Sequence, residues 1–151
     1  MQKVTTFLMY NSGAAEAMEF YTSIFKNSRI VSKIEMGGKV MGGTFELEGQ
    51  QYHCYEAGGD YFKFTEGISI MVSCPTQEEI DYYWERLKAD GGAESQCGWL
   101  TDKFGVSWQV CPPQLMEALT NPDKEKADRA FQAMLSMKKI ILADIEAALK
   151  G

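Results

Sequence analysis

The chain has 151 residues, 45% of them hydrophobic and 24% charged. That size and balance fit one globular domain with a real core and exclude a disordered chain or a coiled-coil rod. A formal net charge of -6 argues against a nucleic-acid partner, whose backbone is held by Lys and Arg displacing counterions. No window approaches the ~20 consecutive apolar residues of a membrane span, and Met1 opens a strand-like run in place of a signal peptide. A cytoplasmic location is therefore expected, with no membrane partner.

Lys3 to Tyr10 reads as a strand, and Asn11, Ser12 and Gly13 form a turn able to cap the helix that follows. That helix runs from about Ala14 to Phe25, with Ala17, Phe20, Tyr21 and Ile24 at helical spacing. Three strands come next: Arg29 to Glu35, Val40 to Glu48 and Gln51 to Glu56. Gly37-Gly38 and Glu48-Gly49-Gln50 separate them, and Gly42-Gly43 reads as a further hairpin turn. Ala57 to Phe64 is a connector rich in glycine and aromatic residues.

The order then restarts. Ile68 to Ser73 is a strand; Pro75 and Thr76 open a helix containing Ile80, Tyr83, Trp84 and Leu87, and Gly91-Gly92 stops it. Further strands are expected near Ala93 to Gln96, Gly98 to Thr101 and Val106 to Cys111, and Pro112-Pro113 ends the pattern. From Asp123 onward Ala127, Phe131, Met134, Met137, Ile141, Ile145 and Leu149 recur every three or four residues. Residues 114–151 are thus expected to be a helical extension packed on the domain or on a second subunit.

Residues 6 to 26 and 68 to 88 are alike in character. With no gap, Leu8, Met9 and Tyr10 fall on Ile70, Met71 and Val72, while Phe20, Tyr21 and Phe25 fall on Tyr82, Tyr83 and Leu87. A repeat of this length is a half-domain, too large for a solenoid unit. The expectation is an α+β fold in which residues 1–113 hold two βαβββ modules, about 1–60 and 65–113. Cys54, Cys74, Cys97 and Cys111 show no close metal-ligand spacing and sit in or beside strands, so four reduced, mostly buried thiols are expected.

With the repeat in place, the chain resembles the vicinal oxygen chelate superfamily, which includes glyoxalases, bleomycin- and fosfomycin-resistance proteins and extradiol dioxygenases. More narrowly, Gly58-Gly59-Asp60-Tyr61-Phe62-Lys63-Phe64-Thr65-Glu66-Gly67-Ile68-Ser69 and Cys97-Gly98-Trp99-Leu100-Thr101-Asp102-Lys103-Phe104-Gly105-Val106-Ser107-Trp108-Gln109 look like the PhnB-like family. That family also carries the name demethylubiquinone methyltransferase-like. The resemblance extends from residue 3 to about 148, tail included. It implies two modules curled around a cleft, a homodimer whose partner chain can complete that cleft and, in metal-dependent relatives, a divalent ion held by the first and last strands of each module.

Anchoring the last strands on Gly49 and Gly105 places His53 and Gln109 at equivalent positions, and anchoring the first strands on their apolar faces leaves Thr5 and Gly67. Gly67 has no side chain to offer and Thr5 is a poor ligand for a divalent ion. No cofactor is expected, and a divalent metal would require Glu46, Glu56 or Glu66 to move in. A small-molecule cleft lined by Thr5, His53, Tyr55, Phe64, Ser69, Met71, Trp99 and Gln109 suits a partly aromatic or amphipathic ligand. His53, the chain's one imidazole, is the candidate general base; satisfied packing inside a strand is the alternative.

Three functions fit this pattern: metal-free binding or sequestration, an enzyme using His53, and an interaction role centred on the tail. Methyl transfer finds no support, because Asn11-Ser12-Gly13 is too short to serve as the Gly-rich nucleoside loop of a methyl-donor site.

Overall fold

The computed structural model describes residues 2–151. Met1, where the sequence places the start of a strand-like run, lies outside the described residues. The chain divides into two compact units, one ending at Lys63 and one running from Phe64 to Gly151.

The first unit contains β1 (Thr6–Tyr10), α1 (Ala14–Ile24), β2 (Ser28–Met36), β3 (Lys39–Leu47) and β4 (Gln50–Glu56). They form a four-stranded sheet of order β1-β4-β3-β2. β1 runs parallel to β4, and the remaining pairs are antiparallel. The antiparallel turns are tight. Gly37-Gly38 has φ of 59° and 78°, and Glu48-Gly49 has 48° and 83°, positive at both central residues as a two-residue hairpin of this twist requires. Gly42-Gly43, by contrast, is no turn but lies inside β3. A side chain at either position would run into the backbone of Cys54 or Ser32 on the neighbouring strands, so these glycines permit close strand approach.

Alternation along the strands divides the sheet into two faces. Leu8, Tyr10, Phe45, Leu47, Tyr52 and Cys54 are buried, as are Ala14, Ala17, Met18, Tyr21 and Ile24 of α1. Tyr21 lies 5.7 Å from Phe45 between ring centroids, and Phe45 stacks on Tyr52 at 5.2 Å. The Tyr10 and Tyr21 hydroxyls meet at 3.2 Å. Asn11-Ser12-Gly13 does not cap α1 through a side chain. Gly13 is the N-cap, in a left-handed conformation, and the Ala14 N–H instead donates to buried Glu56 Oε1 at 3.1 Å. Asn11 is used elsewhere: its Oδ1 accepts from Tyr61 N and Phe62 N, and its Nδ2 donates to Phe62 O.

The second unit repeats the order with shorter strands: β5 (Ile70–Ser73), α2 (Gln77–Lys88), β6 (Ala93–Glu94), β7 (Trp99–Thr101) and β8 (Ser107–Cys111). Their order is β5-β8-β7-β6, with β5 parallel to β8. Thr76 caps α2 by accepting from Glu79 N. Buried Asp102 closes the β7–β8 turn, taking Phe104 N, Val106 N and Trp108 Nε1 at 2.9–3.0 Å. Ile80, Trp84, Leu87, Leu100, Trp108 and Val110 form this core.

The tail is three helices, α3 (Pro113–Leu119), α4 (Lys124–Leu135) and α5 (Leu142–Lys150). The apolar stripe expected through Leu149 is therefore broken between Ser136 and Ile141, and Phe131 is left 44% exposed. Met137, Ile140 and Ile145 instead join Cys111, Leu115, Ala118 and Ala130 in one cluster. Gln77 of α2 secures the break by donating to Ile140 O and accepting from Leu142 N. No described helix is long and apolar enough to cross a membrane.

Two consequences are measurable. Glu56→Ala leaves the buried Ala14 N–H unpaired and removes the carboxylate that Lys39 reaches at 3.2 Å; chemical denaturation should register a loss of about 1–3 kcal/mol. Asp81 is held below the ordinary carboxylate value first by the Gln77 amide and then by Lys139. A lowered folded value means its stabilising contribution is present above the unfolded carboxylate pKa and is lost as pH falls through the folded one. Asp81→Asn should flatten the acid-side loss of stability below about pH 4; an unchanged acid profile would contradict this.

Candidate functional site

Each sheet has a second face, away from its helix. In the first unit the register sets His53 of β4 between Phe7 of β1 and Thr44 of β3. Thr44 Oγ1 and His53 Nδ1 are 2.7 Å apart, and the Phe7 ring is tilted 55° to the imidazole at 6.2 Å. Whichever atom donates, Thr44 occupies Nδ1, so Nε2 is the atom left to meet a ligand. Tyr55 is next along this face, in register with Met9. Phe7 is 57% exposed, an unusual state for a strand phenylalanine. Cys54, adjacent in sequence, is buried on the opposite face, and burial pushes its thiol up to about 11; it is not a thiolate partner for His53 at neutral pH.

In the second unit Gln109 of β8 is flanked by Met71 on β5 and Trp99 on β7. Its Nε2 donates to Ser69 Oγ at 2.8 Å, leaving Oε1 and the second amide hydrogen for a ligand. Met71 is 55% exposed. Ser107 lies two residues away on the same face, its buried Oγ without a hydrogen-bond partner among the described residues.

The two arrangements are equivalent: a polar side chain on the last strand, with an apolar neighbour beside it on the first. They differ from the sequence expectation at the first strands. Thr5 precedes β1, and its Oγ1 accepts a long bond from Gln2; Gly67 precedes β5. Phe7 is in register with His53, and Ser69 is bonded to Gln109. The first-strand residue in register lies two positions past Thr5 in the first unit and four past Gly67 in the second. Phe64 lies half-buried in the segment before β5.

Phe7 and Thr44 were not legible as site residues, although the signal for Thr44 was present. A two-residue turn at Glu48-Gly49 fixes the pairing of Leu47 with Gln50 and hence of Thr44 with His53. As a metal-ligand set these positions do not fit: Phe7 has no donor atom and the Ser69 hydroxyl is engaged by Gln109. Glu46 shares the His53 face but pairs with Arg29 at 3.7 Å, and Glu56 is on the helix side. Among the described residues no group of three His, Cys, Asp or Glu side chains converges.

Comparison with known proteins adds the following. The family model of 3-demethylubiquinone-9 3-methyltransferase matches residues 2–111. A PhnB protein from Bacillus cereus, itself described by that methyltransferase name, is 41% identical with a TM-score of 0.67, covering 72% of this chain and 98% of its own. A protein from Pseudomonas aeruginosa is 19% identical, with a TM-score of 0.60 and coverage of 74% and 98%. A glyoxalase/bleomycin resistance protein from Albidiferax ferrireducens is 12% identical, with a TM-score of 0.51 and coverage of 72% and 97%; at such identity the likeness concerns the fold alone. No curated protein matches. The family match stops at Cys111 and does not reach residue 148, so the three-helix tail lies outside it.

Thr44→Val should remove the hydrogen bond that orients His53, at a cost of about 0.5–1.5 kcal/mol. The check is the imidazole nitrogen NMR spectrum, expected to shift toward a mixture of tautomers; unchanged nitrogen shifts would show that Thr44 does not set the ring.

Proposed function

The chain belongs to the PhnB-like, 3-demethylubiquinone-9 3-methyltransferase family of glyoxalase-fold proteins, and from that membership we propose that it binds a small, partly aromatic or amphipathic molecule without a metal. The supporting observation is the recurrence, on both open sheet faces, of one polar group set among apolar side chains: His53 beside Phe7 and Tyr55, and Gln109 beside Met71 and Trp99. Such surfaces orient a ligand through a few polar atoms and hold it by apolar area. His53 Nε2 on the first face and the Gln109 amide on the second are each able to orient a ligand.

The family's name refers to methyl transfer, but this fold differs from the common methyl-donor architecture. A methyl-donor site of the common type is built on a doubly wound parallel sheet with a glycine-rich first turn. Here each sheet is largely antiparallel, with one parallel pair. A second reading keeps His53 as general base, favoured by the Thr44 bond that fixes its ring. A homodimer is part of the proposal, supported by the apolar side chains Met116, Phe131 and Leu135 exposed on the tail.

Native mass spectrometry of the purified protein tests these points together, reading subunit number, co-purified compound and metal content in one spectrum. Binding of the compound should survive EDTA, and His53→Ala or Gln109→Ala, whichever face holds the compound, should weaken it roughly tenfold, the effect of one lost hydrogen bond of about 1.4 kcal/mol. A stoichiometric divalent ion whose removal abolished binding would sink the metal-free reading. Turnover of the compound, lost in His53→Ala, would favour the enzyme.

A further inference from the structure

A ligand bound as proposed above could meet either open face, and one buried group favours the second. Ser107 is 2% exposed, and its Oγ has no hydrogen-bond partner among the described residues. Such a hydroxyl bears the cost of lost hydration with nothing in return. Alternation along β8 places it on the side of Gln109, while Trp108 between them turns its indole to Asp102 behind the sheet. The Asp102 N–Val106 O and Val110 N–Gly98 O bonds mark the hydrogen-bonded pairs of the β7–β8 ladder. Ser107 and Thr101 therefore meet at a narrow position, where side chains stand closest, and so do Gln109 and Trp99.

We propose that the second face holds the ligand and selects an aromatic ring bearing an uncharged group that both donates and accepts, such as a carboxamide, with Ser107 as the selecting hydroxyl. This rests on the small-molecule binding proposed above. Exposure falls along the face, from Met71 at 55% through half-buried Gln109 and Trp99 to sealed Ser107. The ring lies against Met71 and Trp99, and its polar group displaces the side chain that covers Ser107. Gln109 Nε2 already donates to Ser69, so Gln109 Oε1 accepts from the ligand N–H while Ser107 Oγ donates to the ligand carbonyl. Residues two apart on a strand are separated by about 7 Å, and one carboxamide with a hydrogen bond of about 2.9 Å at each end covers a gap of that order.

The neutrality of the ligand group follows from the residues in register. The rows Met71–Gln109–Trp99 and Ser107–Thr101–Ala93 contain no charged side chain. Glu94, the charged residue of β6, is engaged by Trp84 Nε1 and by Lys88. A carboxylate or ammonium placed on these rows would lose hydration with no opposite charge to replace it. The first face differs, because it carries an imidazole and the Arg29–Glu46 ion pair.

Benzamide and benzoate, alike in shape and different in charge, are the probes. Titrated into the full chain, benzamide should shift the NMR signals of the Gln109 side-chain amide and the Trp99 indole N–H. The Trp84 and Trp108 indoles, engaged by Glu94 and Asp102, should stay in place. Benzoate should bind roughly tenfold more weakly, and Ser107→Ala should weaken benzamide by a similar factor. Because that variant deletes an unpaired buried hydroxyl, its thermal midpoint should rise as its affinity falls, a combination that a structural role alone does not produce. Unchanged benzamide affinity in Ser107→Ala, or a lowered midpoint showing that a buried water satisfies the hydroxyl, would overturn the role of Ser107. Equal affinity for benzoate, or shifts at His53 in place of Gln109, would overturn the assignment of the face and leave the binding role standing. Absence of benzamide shifts in protein that carries a co-purified compound would overturn this assignment alone; absence of both would remove the small-molecule reading as well.

Discussion

A parallel strand pair cannot be closed by a tight turn, so a module that pairs its first strand with its last must carry the chain across the sheet between them. Here that crossing is α1 in one unit and α2 in the other, and each return is an antiparallel meander. The pairing also assigns the faces. Once Leu8 is in register with Cys54 and Val72 with Val110, every second residue of four strands is committed to the helix side. The residues between them, Phe7 and His53 in one sheet and Met71 and Gln109 in the other, are left on the open side. Burial of one face thus fixes the chemistry offered by the other.

The polar groups on the helix side are held by hydrogen bonds from the backbone or an indole. Glu56 takes the first free amide of α1, and Asp102 takes two turn amides and the Trp108 indole. A buried carboxylate is costly unless such donors surround it, and both are fully engaged. The open faces follow another rule: His53 and Gln109 each make one side-chain hydrogen bond and retain unused capacity. Satisfied polar groups maintain the scaffold, and incompletely satisfied ones define the surface where a ligand can compete.

Much of this was legible in the sequence. The βαβββ order could be read because apolar spacing switches cleanly between two and three or four residues, and because Gly37-Gly38 and Glu48-Gly49 permit the backbone angles a short hairpin needs. The offset between β1 and β4 could not be read, since a parallel pair has no turn to set its register and the joining helix can be lengthened or shortened without changing either strand. That is why the sequence points to Thr5 and Gly67 where Phe7 and Met71 lie in register with His53 and Gln109, while the pairing of His53 with β3 and of Gln109 with β7 follows from counting from a nearby glycine turn. Gly42-Gly43 misled for a related reason. A glycine pair needed for close strand approach looks the same as one needed for a turn. The tail's helical character was readable, but its break at Ser136–Ile141 depends on Gln77, some sixty residues earlier.

The attachment of the tail makes the two halves unequal in time. All the elements of the first module lie among residues up to Lys63, so a chain growing from its N-terminus can complete that module early. The second module is held at Gln77 and at the Cys97–Gly98 hairpin by backbone groups between Met137 and Leu142. It must keep that edge unfilled through the synthesis of about forty further residues. A duplicated architecture therefore matures asymmetrically, with its later half waiting on a segment that has no counterpart in the earlier one.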